Sequence, residues 1–436
     1  MRTLAKDTAK FSGKKVTVSG WLHKKRLLGG LNFINIRDRS GLVQILVEDK
    51  DQIEKLRGMQ IGTVLSATGV VFSDERAPGG AELHDVSLEI IVPVKETPPI
   101  EIDKPLDHKP ENLDTLFENR VIGLRNLQEI TIFKIRSDVN RYIRNYLWSH
   151  DFTEIQTPKL LAEATEGGAE VFKLDYFGQE ATLAQSPQLY KQIMVGVFER
   201  VFEIGPAFRA ELSATTRHVS EVTMLDIEVG FIKGLDDVMD LVQDMVYDVV
   251  GKIKIDHGAD LKKMNVTEIA IKPKFPRFTV AEIHELFTKA NGRDTTKEKD
   301  LIPDEEKWIC EYAKKKYDCE AVFATHFPIE AMKFYHSINP DDPKTVLWAD
   351  LLFRGVEVAT CPVREHHLAQ LIEQMKQAGL DPEHPGYKHY LSAFKYGLPL
   401  HGGCGLGIDR FVQKITNLKN VKEAILFPRD INRLTP

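Results

Sequence analysis

One segment of the chain, residues 201–228 (VFEIGPAFRAELSATTRHVSEVTMLDIE), places several charged side chains between two apolar runs that are typical of β-strands. Arg209 and Glu211 are two residues apart, so on an extended backbone they share a face. The polar stretch that follows contains Arg217 and His218, side chains that can close over phosphate groups. These donors, together with a carboxylate that can accept from a base, suggest a nucleotide site. A solvated hairpin with its charges on the outer face is the alternative interpretation of this segment taken alone.

A second cluster, nearer the C-terminus, supplies oxygen ligands. Asp350 and Glu357 flank a predicted tight turn at Arg354–Gly355, so we expect them to face each other across a hairpin, with Thr360 nearby. Carboxylate and hydroxyl oxygens suit Mg²⁺ held against a triphosphate. A solvent-facing acidic pair is the alternative.

A third cluster, HGGCGLGIDRF (residues 401–411), reads as a glycine-rich turn followed by a helix. Glycines such as Gly407 permit close approach of the backbone to a ligand, and Arg410 offers a planar fork for phosphate or a stacking plane for a base. Because glycine-rich turns before helices are common, this cluster is a weak signal in isolation.

The composition is that of an ordinary globular protein with two or three domains. The chain has 436 residues, of which 42% are hydrophobic and 28% charged. No run is long and apolar enough for a membrane span or a signal peptide, which predicts a cytoplasmic protein without a membrane partner. The four cysteines form no metal-binding spacing, so we expect them to be reduced.

Charge is distributed unevenly along the chain. The net charge is −6, yet residues 1–40 contain ten Lys or Arg against two Asp, a local net charge of +8. Such an excess is expected where a polyanion binds. A basic face that is merely solvated is the alternative.

Three regions follow from the patterns of apolar and turn residues, and together they predict an α+β protein. Residues 1–103 contain five short β-branched runs between Lys15 and Val94, which indicate a small closed barrel. Residues 104–129, rich in proline and charge, read as a hinge or linker. Residues 130–436 begin with a helix at Ile130–His150 and predict an antiparallel sheet flanked by helices. The other helices are predicted at residues 188–197, 234–252, 280–289, 304–315, 365–378, 389–396 and 407–416.

Together these features resemble the three signature motifs of class II aminoacyl-tRNA synthetases. Ile132–Leu160 is similar to motif 1, FRAE (Phe208–Glu211) through His218 to motif 2, and GLGIDR (Gly405–Arg410) to motif 3. The barrel, with GWLHKKRLLGGLNFINIRDRSGLVQ, resembles the five-stranded anticodon-binding OB domain of the aspartate, asparagine and lysine subgroup. The resemblance extends from about Lys15 to Pro436 and implies a homodimer through motif 1.

The resemblance also implies how ATP and Mg²⁺ are held. Arg209 would neutralise the α-phosphate, Glu211 would accept from the adenine amino group, and His218 and Arg410 would hold the distal phosphates. The ATP-binding positions are Arg209, Glu211, Arg217, His218, Glu357, Gly407 and Arg410. The Mg²⁺ positions are Asp350, Glu357 and Thr360.

The amino acid implied is L-aspartate. Lys191 and Arg364 match a lysine and an arginine that contact the substrate's side-chain carboxylate, and such a pair favours an anion over a neutral amide. Since a buried cationic pair without an anionic ligand would be costly, a purely structural role is disfavoured. With Arg209, these two residues are the expected catalytic groups. The aspartate-binding positions are Glu166, Ser186, Gln188, Lys191, Asp226 and Arg364.

The barrel implies tRNA(Asp) as the RNA partner. Phe33 matches a residue that stacks on an anticodon base, Gln44 one that reads the central uracil edge, and Arg26 one that meets base or phosphate. An isolated Phe in a strand is more often a core residue. His23 occupies a position that resembles enzymes with relaxed anticodon selection, so we hypothesise that tRNA(Asn) is charged as well.

Two departures from the family pattern keep other functions open. The Ala359–Val363 segment stands where relatives have a small glycine-rich loop, and Val222 stands where many have a Phe that stacks on adenine. Lys333–His336 (KFYH) resembles a mobile loop that closes over the substrate. The rivals to aspartate–tRNA ligation are an asparaginyl-tRNA synthetase and a paralogue that binds RNA, acts as a regulator or amidates aspartate without tRNA.

Overall fold

The structure, a computed structural model, describes residues 2–27, 29, 31–106, 112–162, 170–212 and 215–436. It forms two compact units, one that ends at Ile130 and one that runs from Thr131 to Thr435. Among the described residues, no helix combines the length and the apolar character that crossing a membrane requires.

The first unit contains the expected barrel. Its five strands close in the order β1-β2-β3-β5-β4. They are β1 (Lys15–Leu27), β2 (Asn32–Asp38), β3 (Gly41–Leu46), β4 (Val64–Ser73) and β5 (Ala81–Val92). Inward-pointing aliphatic residues such as Val18, Ile34 and Ile45 alternate with polar ones along the strands and form its core. The prediction of a five-stranded OB fold is therefore confirmed.

Helices also occur in the first unit, where none was predicted. Helix α1 (Lys50–Arg57) lies between β3 and β4 and begins at Asp49, whose side chain accepts from the Gln52 amide at 2.8 Å. Two more, α2 (Leu113–Glu118) and α3 (Arg120–Gly123), lie in the segment predicted as a linker. All three are too short to show a helical period in the sequence.

The second unit is built on an eight-stranded sheet of order β12-β13-β14-β15-β16-β11-β10-β6, beside a small sheet of order β7-β9-β8. The strands are β6 (Thr153–Glu154), β7 (Leu160–Leu161), β8 (Lys173–Tyr176), β9 (Gln179–Leu183), β10 (Arg200–Phe208), β11 (Glu221–Gly230), β12 (Arg277–Thr279), β13 (Ala321–Thr325), β14 (Trp348–Phe353), β15 (Val356–Arg364) and β16 (His401–Gly407). Neighbours are antiparallel except at the two edges, β12 with β13 and β6 with β10. The predicted, mainly antiparallel sheet is confirmed.

Helices flank this sheet, and each predicted helix is present. They are α4 (Leu127–Trp148), α5 (Gln188–Phe198), α6 (Leu235–Lys263), α7 (Val280–Asn291), α8 (Pro303–Tyr317), α9 (Leu368–Gln377), α10 (Lys388–Lys395) and α11 (Ile408–Ile415). Helix α6 continues past the predicted end at Lys252 because Ile253, His257 and Leu261 extend its buried stripe.

The segment interpreted as a glycine-rich turn is a central strand instead. Residues 401–407 form β16, which pairs with β15 on one side and β11 on the other. Residues 359–363, where relatives were expected to have a loop, belong to β15. A Cβ added at Gly403 would lie 2.0 Å from the Ile227 carbonyl oxygen, so this glycine is required by space. The glycines of β16 have no positive φ, which explains why a turn was the wrong interpretation.

An ion pair joins the motif 1 helix to the motif 3 helix. Arg136 of α4 pairs with Asp409 of α11 and also donates to the Ala424 carbonyl at 2.6 Å and the Thr223 hydroxyl at 2.7 Å. Asp409 in turn accepts from the Thr223 amide of β11 at 2.8 Å. These bonds fix α11 against the sheet beside Arg410.

We predict that Asp409→Ala lowers the free energy of unfolding by about 3–5 kcal/mol, because it leaves the mostly buried Arg136 guanidinium without a carboxylate. Urea unfolding monitored by circular dichroism measures the change. Asp304→Ala, which removes the exposed partner of Arg293, is the matched control and should cost less than about 1 kcal/mol. Equal losses in the two variants would contradict the prediction.

Candidate active site

One cavity of about 340 Å³ opens on the face of the large sheet where β10, β11, β16 and β15 lie side by side. It gathers residues that are far apart in the sequence. The predicted site residues that line it are Ser186, Gln188, Lys191, Arg209, Glu211, Arg217, His218, Asp226, Glu357, Thr360, Arg364, Gly407 and Arg410. Glu166 lies outside the described residues.

Strand alternation explains why β11 contributes charges to this cavity. Leu225, Ile227 and Val229 point into the hydrophobic core, so Asp226 and Glu228 point to the opposite face. Asp226 lines the cavity, and Glu228 is fully buried beside it. The strand therefore delivers two carboxylates to one point.

Glu211 is at the centre of the residues predicted to bind ATP. The Arg209 guanidinium lies 3.8 Å from its Oε1, and the His218 imidazole lies 3.6 Å from its Oε2. The Thr215 hydroxyl contacts the other ring nitrogen of His218 at 2.6 Å. Arg209 is more than a third exposed, so its guanidinium is available to an anionic ligand.

Two further arginines reach the cavity from other elements. Arg217 donates to Glu306 of α8 at 2.9 Å, and Arg410 donates to Glu357 Oε2 at 3.3 Å. Burial raises the pKa of Glu306, an effect that Arg217 opposes. Glu306 was not predicted, because nothing in the acidic first turn of α8 distinguishes it from its solvent-facing neighbours.

The predicted metal ligands are brought together, with one correction to their pairing. Thr360 lies directly opposite Asp350, whereas Glu357 is opposite Leu352. A β-bulge at Val358 inserts one residue, so Glu357 and Thr360 both face the cavity. The Thr360 hydroxyl donates to Glu357 at 3.2 Å, while Asp350, which accepts from the Trp348 indole at 2.7 Å, lies behind Thr360 and is not part of the cavity lining. This convergence of oxygen donors fits Mg²⁺.

The two cations predicted to bind the amino acid already have carboxylate partners. Lys191 Nζ lies 2.9 Å from Asp226 and 3.4 Å from Glu228. Arg364 donates to Glu228 through Nε at 2.9 Å and through Nη2 at 3.3 Å. Because carboxylates of the protein itself neutralise this buried pair, the cost of an unpaired charge no longer counts against a structural role for it.

Glu228 is a second residue of the site, after Glu306, that the sequence analysis missed. Burial would raise its pKa, but Arg364 and Lys191 outweigh burial and leave the pKa below its ordinary value. A Cβ at Gly403 would come within 2.4 Å of its carboxylate, so the glycine of the neighbouring strand makes room for it. Glu228 is two residues after Asp226, so the two side chains lie on the same face of the strand. This spacing could have identified Glu228 as a site residue from the sequence.

The remaining walls come from α5 and from the predicted mobile segment. The Ser186 hydroxyl accepts from the Gln188 amide at 3.3 Å where α5 begins. Tyr335 and His336 line the cavity near Arg364, and burial, then Arg364, sets the pKa of His336 well below its ordinary value. The neutral imidazole adds no charge to this wall. Val222 also lines the cavity, as its predicted place beside adenine requires.

The barrel places three of the four predicted anticodon residues on one outer face. Arg26 of β1 lies opposite Phe33 of β2, and Gln44 of β3 lies opposite Asn35, which shares its face with Phe33. Arg26 is exposed, and Phe33 and Gln44 are half-buried. Gln44 also donates to Glu82 at 2.8 Å, which fixes its amide.

His23 is the exception. It lies at a bulge in β1, is 5% exposed, and its Nδ1 has no hydrogen-bond partner within the described part of the chain. Burial and then Arg37 lower its pKa, so the ring is neutral. The structure does not bring His23 onto the face of Phe33. His23 could therefore affect RNA binding only indirectly, by positioning neighbouring residues.

A mainly antiparallel sheet flanked by helices, preceded by a five-stranded barrel, agrees with the family that the sequence matches. Residues 112–431 match the family of class II tRNA synthetases for D, K and N, and residues 16–95 match the OB-fold nucleic acid binding domain. The chain therefore belongs to the class II tRNA synthetases of the D, K and N group.

Similar proteins are known in detail. The chain is 39% identical to the aspartate–tRNA(Asp) ligase of Pyrococcus abyssi over 98% of both chains. It is 38% identical to the aspartate–tRNA(Asp/Asn) ligase of Thermus thermophilus over the whole of both. Its structure superimposes on the asparaginyl-tRNA synthetase of Pyrococcus horikoshii complexed with asparaginyl-adenylate with a TM-score of 0.92, 30% identity and full coverage of both chains.

We predict that Glu228→Gln lowers the free energy of unfolding by about 3–5 kcal/mol at pH 7, because two buried cations then share one fewer carboxylate. The folded-state pKa of Glu228 is below the ordinary 4.5, so its contribution is present above pH 4.5 and is lost as pH falls through the folded value. Urea unfolding at pH 7 and pH 4 should show the difference from wild type shrinking at the lower pH.

The control for this prediction is Glu180→Gln, which removes an exposed carboxylate paired with Lys173. It should change stability by less than about 1 kcal/mol at both pH values. A Glu228→Gln variant whose deficit stays constant between pH 7 and pH 4 would contradict the assignment of an ionised Glu228.

Proposed function

We propose that this protein joins L-aspartate to tRNA through an aspartyl-adenylate intermediate. One observation carries the proposal: a single cavity contains both the Arg209, Glu211 and His218 group and the Lys191 and Arg364 pair. The first group suits a nucleotide triphosphate and the second suits an anionic side chain. A site with both can hold ATP and an acidic amino acid against each other.

The chemistry requires positioning and charge, and no protein nucleophile. An oxygen of the aspartate α-carboxylate attacks the α-phosphorus, the bond to the β-bridging oxygen breaks, and pyrophosphate leaves with the electron pair. Arg209 would neutralise the charge that grows on the α-phosphate, while Glu211 would accept from the adenine amino group. A hydroxyl of the terminal adenosine of tRNA then attacks the carbonyl carbon, and AMP departs.

Mg²⁺ belongs to this proposal. Asp350, Glu357 and Thr360 would hold it through their converging oxygens, and Arg410, bonded to Glu357, would keep that carboxylate in place. When bound, the ion offsets the charge of the triphosphate and of the departing pyrophosphate.

Aspartate is favoured over asparagine, although by less than the sequence implied. The pocket carries two positive charges, on Lys191 and Arg364, and two negative charges, on Glu228 and Asp226. The protein side chains of the pocket therefore have no net positive charge. Arg364 nevertheless keeps N–H donors beyond the two bonded to Glu228, and it lines the cavity. The curated relatives' names support aspartate, and the likeness to an asparaginyl-tRNA synthetase makes asparagine the rival substrate.

Pyrophosphate exchange tests the proposal directly. Exchange should depend on aspartate, with little activity on asparagine, and Lys191→Leu should lower the aspartate-dependent rate at saturating ATP by about 30- to 100-fold. The reason is the loss of one charge-assisted contact in a buried pocket, about 2–3 kcal/mol. Lys314→Leu, which removes a lysine paired with Glu320 away from the cavity, should leave exchange unchanged.

The rivals give different results in the same assay. Exchange that prefers asparagine and survives Lys191→Leu would assign the chain to asparagine. Exchange with neither amino acid would favour the paralogue that binds RNA or acts as a regulator, and binding of ATP without exchange would point the same way. Aspartate-dependent exchange without charging of any tRNA would favour the paralogue that amidates aspartate.

The RNA partner we propose is tRNA(Asp), with tRNA(Asn) as a second acceptor. The face of Arg26, Phe33 and Gln44 combines a cation, an aromatic ring and an amide, which suits an unpaired loop. Among the relatives are ligases named for tRNA(Asp) alone and for both tRNAs. The prediction that tRNA(Asn) is charged as well as tRNA(Asp) was based on His23, which is buried and neutral next to this face.

We predict that Phe33→Ala raises the KM for tRNA about 10- to 100-fold without changing pyrophosphate exchange, because base stacking contributes about 1–3 kcal/mol. Charging of pure tRNA(Asp) and tRNA(Asn) transcripts with aspartate measures it. Phe231→Ala, at an exposed ring on the second unit, is the control. If tRNA(Asn) accepts no aspartate, the second acceptor is excluded, and if Phe33→Ala charges normally, the ring is structural.

A homodimer and a cytoplasmic location complete the proposal. Trp148, at the end of α4, is half-exposed and offers apolar surface on the helix that resembles the family's dimer interface. An enzyme that charges tRNA works where tRNA is available, which is the basis for the location.

A further inference from the structure

A basic groove lies on the first unit, away from the predicted anticodon face. It encloses about 1020 Å³ between the N-terminal segment and the barrel. Its cationic lining residues are Arg2, Lys10, Lys14, Lys15 and Arg39. These residues account for half of the basic side chains in residues 1–40. The function proposed above assigns no role to them.

The N-terminal segment is fixed to the barrel by backbone bonds. The Ala5 amide donates to the buried Asp38 carboxylate at 2.8 Å, where a short 3₁₀ helix, Ala5–Phe11, begins. The amides of Thr3 and Gly13 donate to strand carbonyls of β1 and β4, each at 2.8 Å. The N-terminal segment that carries Lys10 is therefore held against the barrel, so the groove between them has a defined shape.

Cations are in excess along the groove. Lys10 pairs with Asp7 at 2.7 Å, and Arg2 lies 3.7 Å from Asp38. Lys14 and Lys15 are exposed and form no ion pair with any part of the chain that the structure describes. Asp7 is the single acidic residue in the lining. An anionic ligand would meet several cations at once.

The shape and extent of the charge favour a polymer over a small anion. Five cations line a groove of about 1020 Å³, which is far larger than a single phosphate group. Successive phosphates of a polymer can meet these cations one after another. The floor of the groove is polar, with the Thr17 and Thr68 hydroxyls 2.8 Å apart, and Phe11 is its exposed aromatic residue. A membrane surface would require more apolar side chains than this.

We propose that this groove binds the phosphodiester backbone of tRNA, as a second contact surface separate from the face of Arg26, Phe33 and Gln44. The inference rests on the proposed function for the identity of the RNA. Phosphate contacts of this kind position the RNA without reading its sequence. Lysines that release counterions from RNA make the affinity depend on salt, with a slope of about −0.7 to −0.9 per contact.

The test compares two variants that lose the same charge. The groove variant replaces three lysines of the groove: Lys10→Ala/Lys14→Ala/Lys15→Ala. The control variant replaces three exposed lysines elsewhere on the first unit: Lys50→Ala/Lys55→Ala/Lys95→Ala. Binding of a tRNA(Asp) transcript is followed by fluorescence anisotropy from about 50 to 200 mM KCl. Pyrophosphate exchange reports that the activation site is intact.

The groove variant should lower the slope of log K against log salt by about 2–3 and weaken binding at least 10-fold at low salt, with exchange unchanged. The control variant should shift the slope by less than half as much. Equal slopes in the two variants overturn the inference and leave the proposed activity standing. A wild-type protein that binds no tRNA overturns both.

Anionic phospholipid vesicles form a second arm of the test. If wild type binds vesicles, the groove variant does not, and tRNA binding is the same in both, the groove is a membrane contact and the RNA inference fails. Thermal unfolding of all variants shows whether they fold, and the single substitution Lys14→Glu, at an exposed residue, repeats the test with a smaller perturbation.

Discussion

The carboxylate of Glu228 is the constraint on which the active-site structure depends. It is fully buried and holds both Arg364 and Lys191, so a single side chain neutralises cations from β15 and α5. Unpaired, each of these buried ions would cost several kcal/mol. The sheet must therefore bring β11, β15 and α5 into one register, and the neighbouring strand must leave space. Gly403 provides that space, which ties the glycine-rich motif to charge pairing as well as to ligand approach.

This arrangement changes how substrate selection is understood. A pocket with two free cations would attract any carboxylate strongly, whereas this one is close to neutral before the substrate arrives. In the function we propose, selection would then depend on the N–H donors of Arg364 that Glu228 does not engage, and on the neutral His336 and Tyr335 beside it. Because His336 contributes no charge, discrimination between an aspartate and an asparagine side chain would rest on geometry as much as on attraction.

Much of the fold could be predicted from the sequence, because alternation and helical periods are local signals. The barrel strands, the helix at α4 and the charges around Arg209 follow from patterns a few residues long. What failed depends on neighbours in space. Glycines that form a strand look like a turn, and the bulge at Val358, which turns Glu357 and Thr360 to one face, has no sequence signature. Glu306 and Glu228 acquire their roles only from partners far away in the chain.

The two units use charge under opposite physical conditions. Around Glu228 the ions are dry, so salt in solution screens them little and their pairing is set by geometry. On the barrel the lysines are exposed, in a chain whose total charge is −6 although its first forty residues carry +8. Attraction of RNA to that end is long-ranged at low salt and falls within about 8 Å at physiological ionic strength. The pairing of Glu228 with Lys191 and Arg364 should therefore be almost independent of ionic strength, whereas the capture of RNA by the exposed lysines is not.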